Sequence, residues 1–284
     1  MPGSKDHSEA PEPPAHPATP GLPGIKVHRF RQEPSEQALE RLRWLVNRAQ
    51  RKTGVPLAET FVRRLKEDEP PPLLAQLLTG GRGGEVRLKL YLSIVLLATK
   101  APHDIPAVPA RVWAEALDLS DPDRNGARRV GDAISWLEDH RLIESERRRG
   151  TPGKVRLLSQ DGSGGTYSRP VSPRGIRAYF RLPVGLWEFG WINRLSGTAT
   201  GMLVIFLDMQ SGRNGPQWLA PSVAKRQYGL SPDTWAKGRR ELEAYSLLKV
   251  DRISQGAIFD YKRMRNAYRI DESALGKAPA SRGT

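Results

Sequence analysis

The feature that most constrains the fold of this chain is an internal repeat, which sets the same order of structural elements in two places. Residues 118–158 and 229–270 each open with Leu-Ser and a Pro-Asp helix start. An amphipathic helix follows in both copies and ends at a short apolar pair, Leu142-Ile143 in the first and Leu247-Leu248 in the second. Two short segments rich in basic residues then predict a hairpin. The repeat therefore predicts two domains of the same kind.

A helix followed by a basic two-stranded hairpin is the order found in winged-helix domains. In such domains one helix enters a groove of duplex DNA and the hairpin lies on the backbone. We therefore predict a mainly α-helical chain with small β-hairpins, an α+β fold organised as tandem winged helices. The first would span residues 85–160 and the second residues 178–272. Two such domains in one chain indicate a protein that grips duplex DNA at two places.

The remaining segments are expected to connect or flank these two domains. Gly, Ser and Pro dominate residues 161–177, which predicts a flexible linker, and residues 1–30 and 273–284 are expected to be disordered tails. Residues 31–80 are predicted to be helical, with one helix over residues 57–66. Two roles are open for this N-terminal region: dimerisation, or support of the first domain.

The charge balance of the chain favours a polyanionic partner. There are 45 basic residues against 31 acidic ones, a formal net charge of +14, and such an excess attracts nucleic acid or an anionic membrane surface. Arginine accounts for 33 of the basic residues, and its planar fork suits phosphate and guanine contacts. A GC-rich genome would produce the same bias. No apolar run reaches the roughly 18 residues of a membrane span, and the first residues lack a signal-peptide core, so a soluble cytoplasmic protein is expected.

The sequence contains no arrangement typical of catalysis or metal binding. It has no cysteine, which excludes disulfides, thiolate zinc sites and cysteine nucleophiles. Its five histidines lack partners at metal-ligand spacing. The Gly-rich residues 79–84 lack the Lys-Ser/Thr ending of a phosphate-binding loop. We therefore expect no enzymatic activity, no cofactor and no metal site.

The helix of the second repeat, which starts at Ser231, divides into an apolar and a polar face. Trp235, Leu242 and Tyr245 recur at helical spacing and are expected to be buried. The opposite face, which includes Glu241, is expected to be exposed, and its first turn suits a DNA groove and its phosphates. An ordinary solvated helix face is the alternative interpretation.

The helix of the first repeat shows the same division, with a predicted buried stripe of Ala127, Val130, Ile134 and Leu137. Its other face concentrates Arg and Asn, whose donors match guanine and adenine edges in the major groove. The hairpins add Arg and Lys at equivalent places, and Arg177 near the end of the linker is expected to follow the DNA backbone. The residues predicted to contact DNA are Arg124, Asn125, Arg128, Arg129, Arg147, Arg148, Arg149, Lys154, Ser231, Thr234, Lys237, Arg240, Lys262, Arg263 and Arg265.

A further stretch of sequence carries a family resemblance. Residues 191–196 read Trp-Ile-Asn-Arg-Leu-Ser, and residues 239–242 read Arg-Arg-Glu-Leu shortly before the Leu247-Leu248 pair. This pattern resembles the C-terminal winged helix of plasmid replication initiators, a family with tandem winged helices, and the resemblance covers residues 85–270. It implies binding to repeated origin sites, regulation of the protein's own promoter, contact with the replication machinery and, as in some members, a change between dimer and monomer.

The expected function is therefore sequence-specific binding of double-stranded DNA for replication initiation of a plasmid or integrated element. A transcriptional repressor of the same architecture is the first alternative, and a winged-helix adaptor between proteins is the second. Salt dependence would separate the adaptor from the other two, because binding to DNA weakens with salt in proportion to the phosphates that are neutralised.

Overall fold

The described part of the protein is a mixed α/β structure with three small antiparallel sheets, consistent with the predicted α+β class. Its computed structural model describes residues 31–79, 83–148, 151–172, 177–255 and 263–279. The helices of the first half are α1 (Glu36–Ala49), α2 (Glu59–Val62), α3 (Leu73–Thr79), α4 (Gly84–Leu97), α5 (Ala110–Ala116) and α6 (Ala127–Asp139). Its strands are β1 (Val55–Ala58), β2 (Asp104–Ile105), β3 (Ile143–Arg148) and β4 (Thr151–Leu157).

The second half adds five helices and four strands in its described residues. The helices are α7 (Gly185–Glu188), α8 (Trp191–Arg194), α9 (Gly197–Gln210), α10 (Pro221–Tyr228) and α11 (Pro232–Ala244). The strands are β5 (Tyr179–Leu182), β6 (Gln217–Trp218), β7 (Leu248–Gln255) and β8 (Arg263–Ile270). Two irregular helical turns complete the description, a π-helical turn at Pro122–Gly126 that leads into α6 and a 3-10 turn at Ala274–Gly276.

Each half of the chain contains the same succession of elements, so the duplication is longer than the repeat visible in the sequence. A strand, two short helices, a long apolar helix, a short strand, two helices and a hairpin form the first unit, residues 55–157. The same order forms the second unit, residues 179–270. Their sheets also share one strand order, β2-β4-β3 and β6-β8-β7. The opening strands β1 and β5 pair antiparallel with each other, with Val55 opposite Leu182.

The two long apolar helices, α4 and α9, pack against each other at the junction of the units. Twelve of the fourteen residues in each helix are buried, as expected for helices that are apolar on all sides. A Cβ atom at Gly197 would lie 2.8 Å from the Cα atom of Glu85, so glycine permits this close approach. Nearby, the indole nitrogen of Trp187 donates to Ser93 Oγ over 2.9 Å. The two units therefore share one continuous core.

The N-terminal helix α1 supports both units rather than the first alone. Ser35 caps its start by accepting a backbone N–H over 3.2 Å, and the helix packs on α4, α5 and α7. Just beyond its end, the Arg51 guanidinium donates to the carbonyl oxygens of Val95 and Leu96, each over 2.7 Å. These carbonyls lack partners within α4, and a cation there complements the helix dipole. The helix α1 therefore packs on both units.

The prediction of a helix over residues 57–66 is wrong. The chain there completes β1 and then forms only the single turn α2. Residues Val55–Ala58 pair with Tyr179–Leu182 along their whole length, and Val55 and Leu57 are fully buried. Pairing with a distant strand thus outweighs a local helical pattern, which is only a weak determinant of structure.

The prediction of a flexible linker is wrong for the residues that follow the first hairpin. Gln160 and Tyr167 are buried. The side-chain oxygen of Gln160 accepts the backbone N–H of Ala58 over 2.6 Å, which gives a half-buried donor at the end of β1 its partner. Leu158 also bridges to Thr166. The stretch is therefore held on the first unit up to Tyr167, and residues 173–176 lie outside the described part of the chain.

The predicted disorder after residue 273 is also wrong for the residues that are described. Leu275 is fully buried, and the carbonyl oxygen of Lys277 accepts from the indole nitrogen of Trp191 over 3.0 Å. Burial of this leucine and a hydrogen bond to the indole attach the segment to α7 and α8 of the second unit. The predicted tails at 1–30 and 280–284 lie outside the described residues.

Replacing Gly197 with alanine should force α4 and α9 apart and destabilise the protein. The added methyl group would meet backbone atoms of Glu85, which cannot move aside as a flexible side chain can, and overpacking typically costs about 1–3 kcal/mol. Gly131→Ala is the matched control, because a Cβ atom there meets nothing within 4 Å and alanine is favoured in a helix by roughly 0.5–1 kcal/mol. Chemical denaturation should show free energies of unfolding that shift in opposite directions. A Gly197→Ala protein as stable as the wild type would contradict the close approach of the two helices.

Candidate nucleic-acid interface

The orientation of α6 is fixed by its apolar residues. Val130, Ala133 and Leu137 are buried, and Ala127 and Ile134 are half-buried. The predicted apolar stripe is thus confirmed, with Ala133 added to it. Because a helix repeats every 3.6 residues, burial of this stripe turns the polar positions to solvent.

Three arginines are exposed on α6 and on the turn that precedes it: Arg124, Arg128 and Arg129. None of them forms an ion pair or a side-chain hydrogen bond within the part of the chain that the structure describes. Their guanidinium groups are therefore free for bidentate contacts with phosphate or with the major-groove edge of guanine. All three belong to the residues predicted to contact DNA.

The π-helical turn Pro122–Gly126 determines how the chain enters α6. Asp121 adopts a φ of 50°, and its carboxylate accepts from the backbone N–H and the side-chain amide of Asn125 over 3.3 and 2.9 Å. Gly126 is buried, and a Cβ atom there would lie 3.0 Å from the Asp121 carbonyl oxygen. One amide hydrogen of Asn125, a predicted DNA contact, is therefore used within the protein. Isolated π turns are rare and occur frequently at functional sites.

The helix α11 is anchored by apolar and aromatic contacts along the predicted face. The ring centroid of Trp235 lies 5.5 Å from that of Phe206 and 6.3 Å from that of Tyr268. Leu242 is fully buried, and Tyr245 is half-buried against the core. The predicted apolar face of the second-repeat helix is thus confirmed.

The polar face of α11 is partly neutralised by its own residues. Ser231 caps the helix, since its hydroxyl accepts the backbone N–H of Thr234 over 3.1 Å and the two hydroxyls lie 2.9 Å apart. Lys237 and Arg240 are exposed. The Lys237 ammonium pairs with the Asp233 carboxylate over 2.8 Å, whereas Arg240 has no partner among the described residues.

The prediction that Glu241 is exposed is wrong. Its side chain is buried, and its two carboxylate oxygens accept from the backbone N–H and the hydroxyl of Ser196 over 2.7 and 2.6 Å. Ser196 caps α9, so the carboxylate serves the positive end of that helix. Gly238 makes the approach possible, because a Cβ atom there would lie 2.9 Å from the Thr198 carbonyl oxygen. The contact holds α11 against α9.

The cations of the first hairpin whose side chains are described, Lys154 and Arg156, are paired. The Asp104 carboxylate on β2 accepts from Arg156 Nε over 2.8 Å and also pairs with the ammonium of Lys154. Hydrogen bonds from Arg156 and Lys154 lower the pKa of Asp104. Lys154, predicted to contact phosphate, is therefore engaged by a carboxylate of its own sheet. Arg147 and Arg148 lie in β3, but their side chains and the whole of Arg149 are outside the described structure.

The second hairpin presents a stacked cation in addition to the ion pair of Lys249 with Asp251 over 3.4 Å. The guanidinium carbon of Arg265 lies 4.0 Å from the centre of the Trp218 ring on β6. Sequence reasoning missed Trp218, because a single tryptophan before a helix carries no signal of the strand that it joins. Arg263 lies in β8 without a described side chain, and Lys262 lies outside the described residues.

Four buried or half-buried charges join the two units, and we call Glu59, Arg63, Arg177 and Asp208 the charge cluster. Arg177 pairs with Glu59 over 2.9 Å and with Asp208 over 3.0 Å, and Arg63 pairs with both carboxylates. The hydroxyl of Tyr228 donates to Asp208 over 3.0 Å. Burial raises the pKa of Asp208, although both arginines oppose that shift. Arg177, predicted to follow the DNA backbone, is instead committed to this cluster.

In the described part of the chain, no group of three His, Asp or Glu side chains is arranged to hold a metal ion, and no helix has the length and apolar character to cross a bilayer. No family model, curated protein or solved structure matches this chain. Its function is therefore inferred from the positions of the side chains described above.

Proposed function

We propose that this protein binds double-stranded DNA in a sequence-specific manner through two winged-helix domains and initiates replication of a plasmid or an integrated element. The observation that carries the proposal is the set of unpaired arginines on α6: Arg124, Arg128 and Arg129. In a winged helix the corresponding helix enters the major groove, where arginine is the commonest partner of guanine. The proposal includes no catalytic step, cofactor or metal.

The order of elements supports the winged-helix part of the proposal. In each unit a long helix, a short strand and two further helices precede a hairpin, and the second hairpin strand lies between the first one and the short strand. In this arrangement α6 and α11 would be the groove-binding helices. The β3–β4 and β7–β8 hairpins would occupy the positions of wings, which in such domains lie on the DNA backbone.

The shared core supports a DNA site of two parts at a fixed distance. The helix α6 packs on α4, α11 packs on α9, and α4 packs on α9. A continuous chain of contacts therefore connects the two proposed groove helices. The spacing of the two half-sites would follow from this core rather than from the length of a flexible linker.

Replacing Arg128 and Arg129 with alanine should remove sequence discrimination without unfolding the protein. Each base contact typically contributes about 1–3 kcal/mol, so the double variant should lose at least about tenfold in affinity for a duplex selected from a randomised library. Fluorescence anisotropy on the selected and on a scrambled duplex would measure both effects. The matched control is Arg43→Ala with Arg48→Ala, which removes two exposed arginines from α1 and should leave the affinity within about twofold.

Two outcomes would contradict this assignment. If the wild-type protein enriched no duplex from the library, specific DNA binding itself would be wrong. If the Arg128/Arg129 variant bound the selected duplex as the wild type does, α6 would not be the reading element.

Initiation is separable from binding, and a replicon assay tests it. A plasmid that has no other origin but carries repeats of the selected site should persist in cells only when this protein is supplied. The Arg128/Arg129 variant should abolish its maintenance, because the protein would no longer be recruited to the repeats. Binding without plasmid maintenance would instead support the repressor of the same architecture.

A further inference from the structure

We propose that the two units hold DNA through different elements, the first through α6 and the second through the outer face of its hairpin. We call this surface the second hairpin face and define it as Arg265, Ala267 and Arg269 of β8 with Trp218 of β6. The inference rests on the proposed DNA-binding function and assigns to this face the role of a phosphate clamp. Its partner would be the sugar–phosphate backbone of duplex DNA.

The alternation of β8 places these residues on one side of the sheet. Tyr268 and Ile270 are buried against the core of the second unit. Side chains alternate along a strand, so Arg265, Ala267 and Arg269 occupy the opposite side. Trp218 is paired directly with Ala267, so the indole lies on the same side of the sheet as Ala267. Ala267 itself has no exposed surface.

The stacking of Arg265 on Trp218 prepares the guanidinium for an anion. A guanidinium that lies 4.0 Å from the centre of an indole ring gains cation–π attraction. It keeps its N–H groups at the edge of the stack. Because stacking restricts the side chain before binding, less conformational entropy is lost when a phosphate is bound. No carboxylate is paired with Arg265 or with the exposed Arg269 in the described chain.

The equivalent side of the first sheet has the opposite chemistry. On the short strand of the first sheet Asp104 is paired with the outward residue Arg156, and on the short strand of the second sheet Trp218 is paired with the outward residue Ala267. Asp104 binds both Arg156 and Lys154, and Glu144 lies 3.5 Å from Arg156. Lys154 and Arg156, the cations of the first sheet whose side chains are described, are therefore paired within that sheet.

The groove helices differ in free charge in the opposite sense. On α6 and the turn before it, Arg124, Arg128 and Arg129 are unpaired, whereas on α11 the Lys237 ammonium is bound to Asp233 and Arg240 is the one cation without a partner among the described residues. Among the described side chains, the first unit thus has three free arginines at its helix and a paired Lys154 and Arg156 on its hairpin. The second unit has one free arginine on its helix, and Arg265 and Arg269 are free on its hairpin. Contacts to bases specify a sequence and contacts to phosphates position the protein, so the first unit would supply discrimination and the second would supply attachment.

The test compares two double variants of the full-length protein that remove the same charge. Arg265→Ala with Arg269→Ala should weaken binding to the selected and to the scrambled duplex by a similar factor, at least about tenfold at physiological salt. The slope of log K against log salt should become shallower by about two units. Lys154→Ala with Arg156→Ala should change the affinity by less than about threefold and leave the slope unaltered, because these two cations are already paired with the two carboxylates of Asp104 and Glu144.

The role of Trp218 is tested by a conservative pair of variants. Trp218→Ala should weaken both duplexes, and Trp218→Phe should restore most of the affinity, since phenylalanine keeps an aromatic face for Arg265. Thermal unfolding of each variant verifies that the sheet is intact; if Trp218→Ala unfolds the protein, the Arg265/Arg269 comparison decides alone. A folded Trp218→Ala protein that binds both duplexes as tightly as the wild type does would overturn the positioning role of the indole.

The outcomes separate this inference from the proposed function. If the wild-type protein bound no duplex, the proposed function would be wrong. If the wild-type protein bound DNA and the two double variants lost affinity equally, the proposed function would stand. The division between helix and hairpin would be overturned. Loss of the selected duplex alone in the Arg265/Arg269 variant would also overturn it, because the second hairpin face would then be reading sequence.

Discussion

The contact between α4 and α9 is the interaction on which the rest of the structure depends. Both helices are apolar on all sides, and three helices with a three-stranded sheet cover only part of such a helix. Each unit therefore leaves apolar surface that the other one buries. The pairing of β1 with β5, the position of α1 and the charge cluster all lie around this junction. Because α6 packs on α4 and α11 on α9, the same contact fixes the two faces that would meet DNA.

Duplication of the topology has not preserved the chemistry of the two surfaces. The strand order, the short strand and the final hairpin are the same in both units, yet the short strand carries an aspartate paired with two cations of its sheet in the first unit and an exposed tryptophan in the second. Topology depends on the burial of apolar residues, which both copies retain. Exposed positions are free to diverge.

The features that could be predicted from the sequence are those encoded by neighbouring residues. The apolar faces around Leu137 and Leu242 follow from helical spacing, and the caps Ser35 and Ser231 follow from helix-start patterns. The errors all involve distant partners. The strand β1 depends on β5, Glu241 is buried because Ser196 lies opposite it, and Arg177 is withdrawn from solvent by Glu59 and Asp208. No local pattern contains these pairings, and for the same reason the linker was predicted to be flexible although Tyr167 is buried.

The distance between the two units in solution tests most directly whether they share one core. Because the chain has no cysteine, Asp139→Cys and Lys225→Cys would provide the only two attachment points for spin labels, and both positions are exposed. Pulsed electron spin resonance should give one narrow distance distribution, and duplex DNA should leave it unchanged because α4 and α9 already fix the units. A broad distribution that narrows only when DNA is added would mean that a flexible linker joins independent domains, and it would contradict the shared core.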